Sequence, residues 1–187
     1  MQPTEWGTTS LLLEELVGSG FISPHLPFQK NANQSIYKLS DEYSLFYLKF
    51  IEHSRATGAG TWLKKSSTSS WRSWSGYAFE RICMKHTDNI KQAFGVSGVF
   101  TETSAWRHSS KDGNGAQVDL LLDRQDNVIR ICEMKFSNAE FAIDKTYAAE
   151  LKNKLDIFRR ERKTKKALFL AMVPPMALKT ICILLVW

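Results

Sequence analysis

The segment 117–136 constrains the fold of this chain more than any other part. It holds two strand-like runs, 117–122 and 128–136, joined by Asp123-Arg124-Gln125-Asp126-Asn127, residues that favour tight turns. In the second run, alternation sets Ile129, Ile131, Glu133 and Lys135 on one face, with Val128, Cys132 and Met134 on the other. One face therefore starts apolar and ends with a carboxylate beside an amine. A buried strand end would carry aliphatic residues there, because burying an isolated charge costs several kcal/mol. Either the strand end reaches solvent or its charges meet a ligand. Asp119 poses the same question among Val118, Leu120, Leu121 and Leu122. A hairpin closed by the 123–127 loop brings Asp119 near the Glu133 end of its partner strand.

Flanking patterns complete a layered unit. Ser75 is placed to cap a helix whose apolar positions Phe79, Ile82, Cys83, His86, Ile90, Ala93 and Phe94 follow the 3.6-residue period, with a stop at Gly95. A strand-like run covers 98–106. After the hairpin, a second helix is expected over 145–160, with Ala148, Leu151, Leu155 and Phe158 on its apolar face. The continuous apolar run 167–173, followed by Pro174-Pro175, reads as a buried strand. Helix, three antiparallel strands, helix and strand make a small α/β layered domain.

The N-terminal part reads differently. Leu11, Leu12, Glu15 and Leu16 suggest a short amphipathic helix stopped by Gly18-Ser19-Gly20, and extended segments at 21–22 and 35–39 flank a polar loop. A helix followed by a two-stranded hairpin matches the second half of a winged helix, so a partial winged helix is expected over 1–40. Ser40-Asp41-Glu42 caps a further helix. Over 43–51 it is apolar almost all round, which predicts burial on several sides between two domains, or a partner surface. The serine-rich stretch 55–75 reads as a linker or a surface excursion. Three segments result: 1–40, a buried helix and polar linker over 41–70, and the layered domain over 71–187.

Composition excludes several classes. Of the 187 residues, 43 % are apolar and 24 % charged, as in a globular protein and not a disordered one. A membrane-spanning helix needs about 20 apolar residues, far more than a run such as 181–187 supplies. No basic region precedes Leu11-Leu12-Leu13, so no secretory signal is expected. Cys83, Cys132 and Cys182 lie far apart without a CxxC pair, which excludes a zinc ribbon and fits a reducing cytoplasm. The 25 Lys and Arg against 19 Asp and Glu give a net charge of +6, which permits phosphate binding. Cations concentrate in 159–166, opposed only by Glu161. Arg159, Arg160, Lys163, Lys165 and Lys166 there are either nucleic-acid contacts or a solvated helix end suited to the helix dipole.

Two carboxylates and a lysine converging at a strand end suit a hard divalent cation, Mg²⁺ or Mn²⁺, which takes one or two protein carboxylates together with substrate phosphate. Such a metal polarises a phosphoryl group and lowers the pKa of its water, while the lysine supports the attacking hydroxide or the developing charge. Glu80, on the flank of the first helix's apolar stripe, adds a fourth member. Asp119, Glu133 and Lys135 read equally as an edge ion network.

These residues also suggest a family. Gln117-Val118-Asp119-Leu120-Leu121 followed by Glu133-Met134-Lys135, after a helix carrying Glu80, resembles the PD-(D/E)xK nuclease superfamily. Trp74-Ser75-Gly76-Tyr77-Ala78-Phe79-Glu80, Cys132-Glu133-Met134-Lys135-Phe136 and Lys163-Thr164-Lys165-Lys166-Ala167 are similar to the C-terminal domain of a group of bacterial and archaeal AAA-type ATPases. There a P-loop ATPase precedes a winged helix and then this nuclease-like domain. The resemblance covers about 9–173 and implies a restriction-endonuclease-like α/β core. It implies Asp119, Glu133 and Glu80 as metal ligands, Lys135 as the catalytic lysine, and hydrolysis of phosphodiester bonds in nucleic acid, chiefly DNA. It also implies an AAA-type ATPase domain as partner. No GxxxxGK[ST] phosphate loop occurs in the chain, so ATP hydrolysis is not assigned, and 176–187 departs from the family's tail.

Other features carry two readings each. Trp62, Trp71, Trp74 and Trp106, near Arg72, Arg107 and Lys64-Lys65, either stack bases or pack the linker against the core. His86 reads as a core histidine. Asn153 and Lys154, on the polar side of the second helix, are either solvated or reach the same strand ends. Function divides likewise between a metal-dependent nuclease and a catalytically idle nucleic-acid-binding or regulatory module of an ATPase.

Overall fold

Gly20 ends the first helix. It adopts φ 79°, a left-handed conformation open to glycine, and its N–H reaches the Val17 carbonyl at 3.0 Å while Phe21 N–H reaches that of Leu16 at 3.0 Å. In the computed structural model, describing residues 5–55, 58–110, 115–175 and 184–185, this helix is α1, Glu5–Gly18. Strands β1 (Ile22–His25) and β2 (Ile36–Leu39) follow and pair antiparallel, giving the expected helix and hairpin. The chain divides into two compact units, Met1–Arg72 and Ser73–Trp187.

Asp41 caps α2 (Glu42–Phe46), its carboxylate accepting from Ser44 N–H at 2.6 Å. A π-helical turn, Tyr47–Ile51, continues it. The predicted burial on several sides does not hold. Phe50 is buried, but Tyr43 is 68 % exposed and Tyr47, Leu48 and Ile51 also reach the surface. One face meets aromatic partners, Phe46 against Trp62 at 5.3 Å and Phe50 against Trp71 at 5.6 Å, while Tyr43, Ser44, Tyr47 and Leu48 line a pocket with Leu16, Phe21, Ile22 and Leu39. Those tryptophans lie within the stretch expected to be linker. Trp62 belongs to α3 (Thr61–Ser66), and Trp71 to the first turn of α4 (Ser69–Lys85). Aromatic burial outweighs the weak helix propensity of the serines between them. Lys65 adds hydrogen bonds to the Phe50 carbonyl at 2.6 Å and the Ser54 hydroxyl at 2.7 Å.

The helix expected to begin at Ser75 starts earlier, because Thr68 Oγ1 accepts from Trp71 N–H at 3.2 Å and serves as its cap. Ser75 is buried mid-helix. The same helix ends at Lys85, and α5 (Thr87–Ala93) takes over after His86, which is exposed at the break and not in the core. Gly95, with φ 68°, closes α5 in the same left-handed manner as Gly20.

Four longer strands form a mixed sheet: β3 (Thr101–His108), β4 (Ala116–Arg124), β5 (Val128–Met134) and β6 (Ala167–Val173). They lie in sequence order, antiparallel from β3 to β5, while β5 and β6 are parallel. The crossover between those two contains α6 (Lys145–Arg162). A two-residue strand, β7 (Leu184–Leu185), pairs antiparallel with β6. The rest of the tail at 176–187, with Cys182, lies outside the described residues.

The sheet has two differently filled faces. Leu120, Leu122, Cys132, Met134 and Ala171 pack with Cys83 and Ile90, supported by Phe79 and Phe94, so α4 and α5 cover this face. Alternation turns Ile129, Ile131 and Glu133 the other way, toward α6, whose Leu151, Leu155 and Phe158 are buried. Two layers of helix thus enclose a mixed sheet.

Candidate functional site

The site grows from the end of β5. Ile129 and Ile131 are buried, and the next residue on their face, Glu133, keeps 13 % of its side chain exposed. Its carboxylate does not stand alone. The Tyr147 hydroxyl donates to Oε1 at 3.3 Å, and the Lys154 ammonium pairs with Oε2. Tyr147 and Lys154 stand about two turns apart on α6, so both project toward the same strand end. Asp144 fixes where that helix begins, its side chain accepting from Tyr147 N–H at 2.7 Å.

Burial pushes the Tyr147 hydroxyl above the usual tyrosine range. The charge on Glu133, the hydrogen bond to it, and then Glu150 and Asp119 push it further in the same direction. Tyr147 is therefore a neutral donor, and its surroundings are anionic. The register that pairs Leu120 with Cys132 sets Asp119 and Glu133 at the next positions along the two strands.

Asp119 sits at an irregularity of β4. Ser104 faces Leu121 and Trp106 faces Val118, so Asp119 and Leu120 together span the single residue Ala105. This is a β-bulge, a feature that redirects side chains and ends regular pairing. The β4–β5 ladder stops beside it, at Leu120 and Cys132. Gln117 Nε2 donates to Asp119 Oδ1 at 3.2 Å. Lys135 lies just past β5, its backbone N–H still bonded to the Val173 carbonyl at 3.2 Å. Its side chain is exposed, with the ammonium 5.5 Å from the Tyr147 ring centroid. Glu133 and Lys135 thus border Tyr147, and Asp119 stands one residue beyond the last paired residues of β4 and β5.

Glu80 has a different setting. It lies on α4, whose Phe79 and Cys83 pack on the face carrying Cys132 and Met134. The Phe79 and Phe136 rings are 6.1 Å apart, so this turn of α4 stands level with the end of β5, in the layer opposite α6. Glu80 also adds to the burial that pushes the Cys83 thiol up to about 11. Among the described residues, no group of three or more His, Cys, Asp or Glu side chains is arranged to hold a metal ion. The trio of Asp119, Glu133 and Glu80 implied by the resemblance is not among such groups. Asp119 and Glu133 still supply two carboxylates, the number Mg²⁺ commonly takes from protein.

The basic segment lies at the other end of α6. From Tyr147 to Arg160 the helix advances about 20 Å. Arg159, Arg160, Lys163 and Lys165 are exposed, and Arg160 pairs with Glu161 at 3.0 Å. Lys163 adopts φ 47° and caps the helix through its N–H to the Arg159 carbonyl. Lys166 is committed elsewhere, to Asp123 Oδ1 at 2.5 Å and the Arg124 carbonyl at 3.1 Å. It ties the start of β6 to the β4–β5 hairpin.

Sequence reasoning left Lys154 between two readings and missed Tyr147. The signal lay in the helical stripe: Tyr147, Leu151, Lys154 and Phe158 recur at helical spacing, so two polar-tipped side chains occupy a buried line. Asn153 is exposed. Trp106 is buried and 4.9 Å from Phe158, ring centroid to centroid, whereas Trp62 is exposed. No helix among the described residues is long and apolar enough to cross a membrane. Comparison with family models, curated proteins and solved structures returned no match.

Proposed function

We propose that residues 73–187 form a metal-dependent nuclease-like domain that hydrolyses phosphodiester bonds of nucleic acid. One observation carries the reading: a carboxylate and an exposed lysine flank a strand end where a bulge in the neighbouring strand holds a second carboxylate. The motif resemblance to PD-(D/E)xK nucleases supports it. Asp119 and Glu133 would hold Mg²⁺ or Mn²⁺, and Glu80 is not required for this pair. When bound, the metal would supply Lewis-acid polarisation of the phosphoryl group and a more acidic water.

The chain's own residues do the rest. Gln117 orients the Asp119 carboxylate by donating to it. Tyr147, kept protonated by its surroundings, orients Glu133 through its hydroxyl. Lys135 offers an exposed ammonium to the attacking water or to charge developing on a phosphoryl oxygen. Arg159, Arg160, Lys163 and Lys165 would hold backbone phosphates at a distance from the chemistry, and Lys166 would act through the hairpin it braces. DNA as substrate and an AAA-type ATPase domain as partner complete the proposal on the strength of the same resemblance, and a cytoplasmic location follows from the spacing of the three cysteines.

Incubation with supercoiled plasmid and Mg²⁺ or Mn²⁺ tests it. Nicking or linearisation that is lost in Glu133→Ala and Lys135→Ala supports the nuclease. Cleavage that persists unchanged in both rejects the site. The engagement of both Glu133 oxygens by Tyr147 and Lys154 favours a second reading, an idle nucleic-acid-binding module. That reading gains support if salt-sensitive DNA binding is found without cleavage.

A further inference from the structure

Both oxygens of Glu133 are engaged from within the protein, Oε1 by the Tyr147 hydroxyl at 3.3 Å and Oε2 by the Lys154 ammonium. The pair is largely withdrawn from water, with 13 % of the Glu133 side chain and 20 % of the Lys154 side chain exposed. In such surroundings opposite charges attract strongly, and removing one leaves the other costly to keep. A divalent cation seeking Glu133 therefore meets a carboxylate that is already neutralised. Lys135 stands apart from this arrangement, exposed and lying over the Tyr147 ring. The two lysines of the site are not equivalent: one is available to solvent and the other is spent on the carboxylate. The position of Lys154 is not incidental to loop geometry, because it rides on a helix whose start is fixed by the Asp144 cap.

We propose that Lys154 is a positioning residue that acts as an internal counter-cation, competing with Mg²⁺ or Mn²⁺ for Glu133 and so setting the affinity of the site for metal. This rests on the metal-binding reading given above. In the metal-free protein Lys154 holds the Glu133 carboxylate against α6 as an ion pair. Metal binding requires Lys154 to release that carboxylate. Whatever weakens the lysine's hold therefore strengthens the metal's.

Calorimetric titration of Mn²⁺ into the full chain tests this, using wild type, Lys154→Gln, Lys154→Met and Glu133→Gln. Both Lys154 variants should bind Mn²⁺ about tenfold or more tightly than wild type. Their melting temperatures should also rise further on adding Mn²⁺ than that of wild type. Lys154→Gln keeps a hydrogen-bond donor for Glu133, so it carries the test if the methionine variant does not fold. Unchanged or weaker Mn²⁺ affinity in folded Lys154→Gln overturns the competition. If binding is lost in Glu133→Gln yet unaltered in Lys154→Gln, the competition alone fails. If neither wild type nor the Lys154 variants bind Mn²⁺, or Glu133→Gln binds as wild type does, the metal reading fails and takes the competition with it.

Discussion

Lys154 of α6 and Glu133 of β5 form an ion pair where the apolar packing between helix and strand ends. Below them, Ile129 and Ile131 meet a helix that buries Leu151, Leu155 and Phe158. At the last position of that face the aliphatic side chain is replaced by a carboxylate, and the helix answers with an ammonium and a phenol. The contact has a structural consequence of its own, apart from any catalysis.

That consequence is a coupling between the two residues. Glu133→Gln and Lys154→Met should each lower the unfolding free energy by about 2 kcal/mol, since each leaves a poorly solvated partner unpaired. The double variant should lose less than the sum. Urea titration of the four proteins measures this, and strict additivity would show that the pair contributes nothing.

Tyr147→Phe removes the hydroxyl but keeps the ring that faces Phe141 and Lys135. It should cost about 1 kcal/mol at neutral pH. The folded protein holds the Tyr147 proton more tightly than the unfolded chain does, because the pKa is raised on folding. Its contribution is therefore complete below about pH 10, the unfolded value, and declines as pH rises from there toward the folded pKa. Wild type should lose stability over that window more steeply than Tyr147→Phe. Parallel slopes in alkaline denaturation curves would contradict the assignment.

Cys83 and Cys132 should resist thiol reagents in the native protein. Both are buried, and desolvation pushes Cys83 up to about 11 and Cys132 up to about 12. In a Cys182→Ser background, labelling at pH 8 should follow unfolding in denaturant. Rapid stoichiometric labelling without denaturant would be inconsistent with this core.

Lys165 and Lys166, though adjacent, should behave differently. Lys165→Ala should reduce the salt dependence of DNA binding by about one unit of slope. Lys166→Ala should chiefly cost stability, about 1 kcal/mol, because its partners are Asp123 and the Arg124 carbonyl. Binding isotherms across a salt series and thermal melts separate the two effects.

The periodic elements were legible because their patterns are local. Ile129, Ile131 and Glu133 declare a face by alternation, Gly95 declares a helix end, and 167–173 is apolar enough to be a buried strand. Burial around 43–51 was not legible, because an all-apolar helix does not say which of its faces finds a partner. Phe46 and Phe50 found theirs in Trp62 and Trp71, residues hidden in a serine-rich stretch. Ser75 looked like a cap until Thr68 proved better placed. At the site, the anomalies Asp119 and Glu133 were visible as charges in apolar runs. Tyr147 was not, since an aromatic on a helix stripe looks like ordinary core until its hydroxyl is seen to have a partner. Glu80 shows the opposite limit: sequence brought it to the right height along the sheet and left the layer undecided.

The length of α6 separates the proposed site from the basic segment. Tyr147 hydrogen-bonds Glu133 near its start, and the exposed cations lie in and just after its final turn. At 3.4 Å per step of duplex, that separation corresponds to about six base pairs. On the proposed nuclease reading, shorter oligonucleotides would engage one end or the other, and the length of α6 would set the distance between phosphate contact and cleavage.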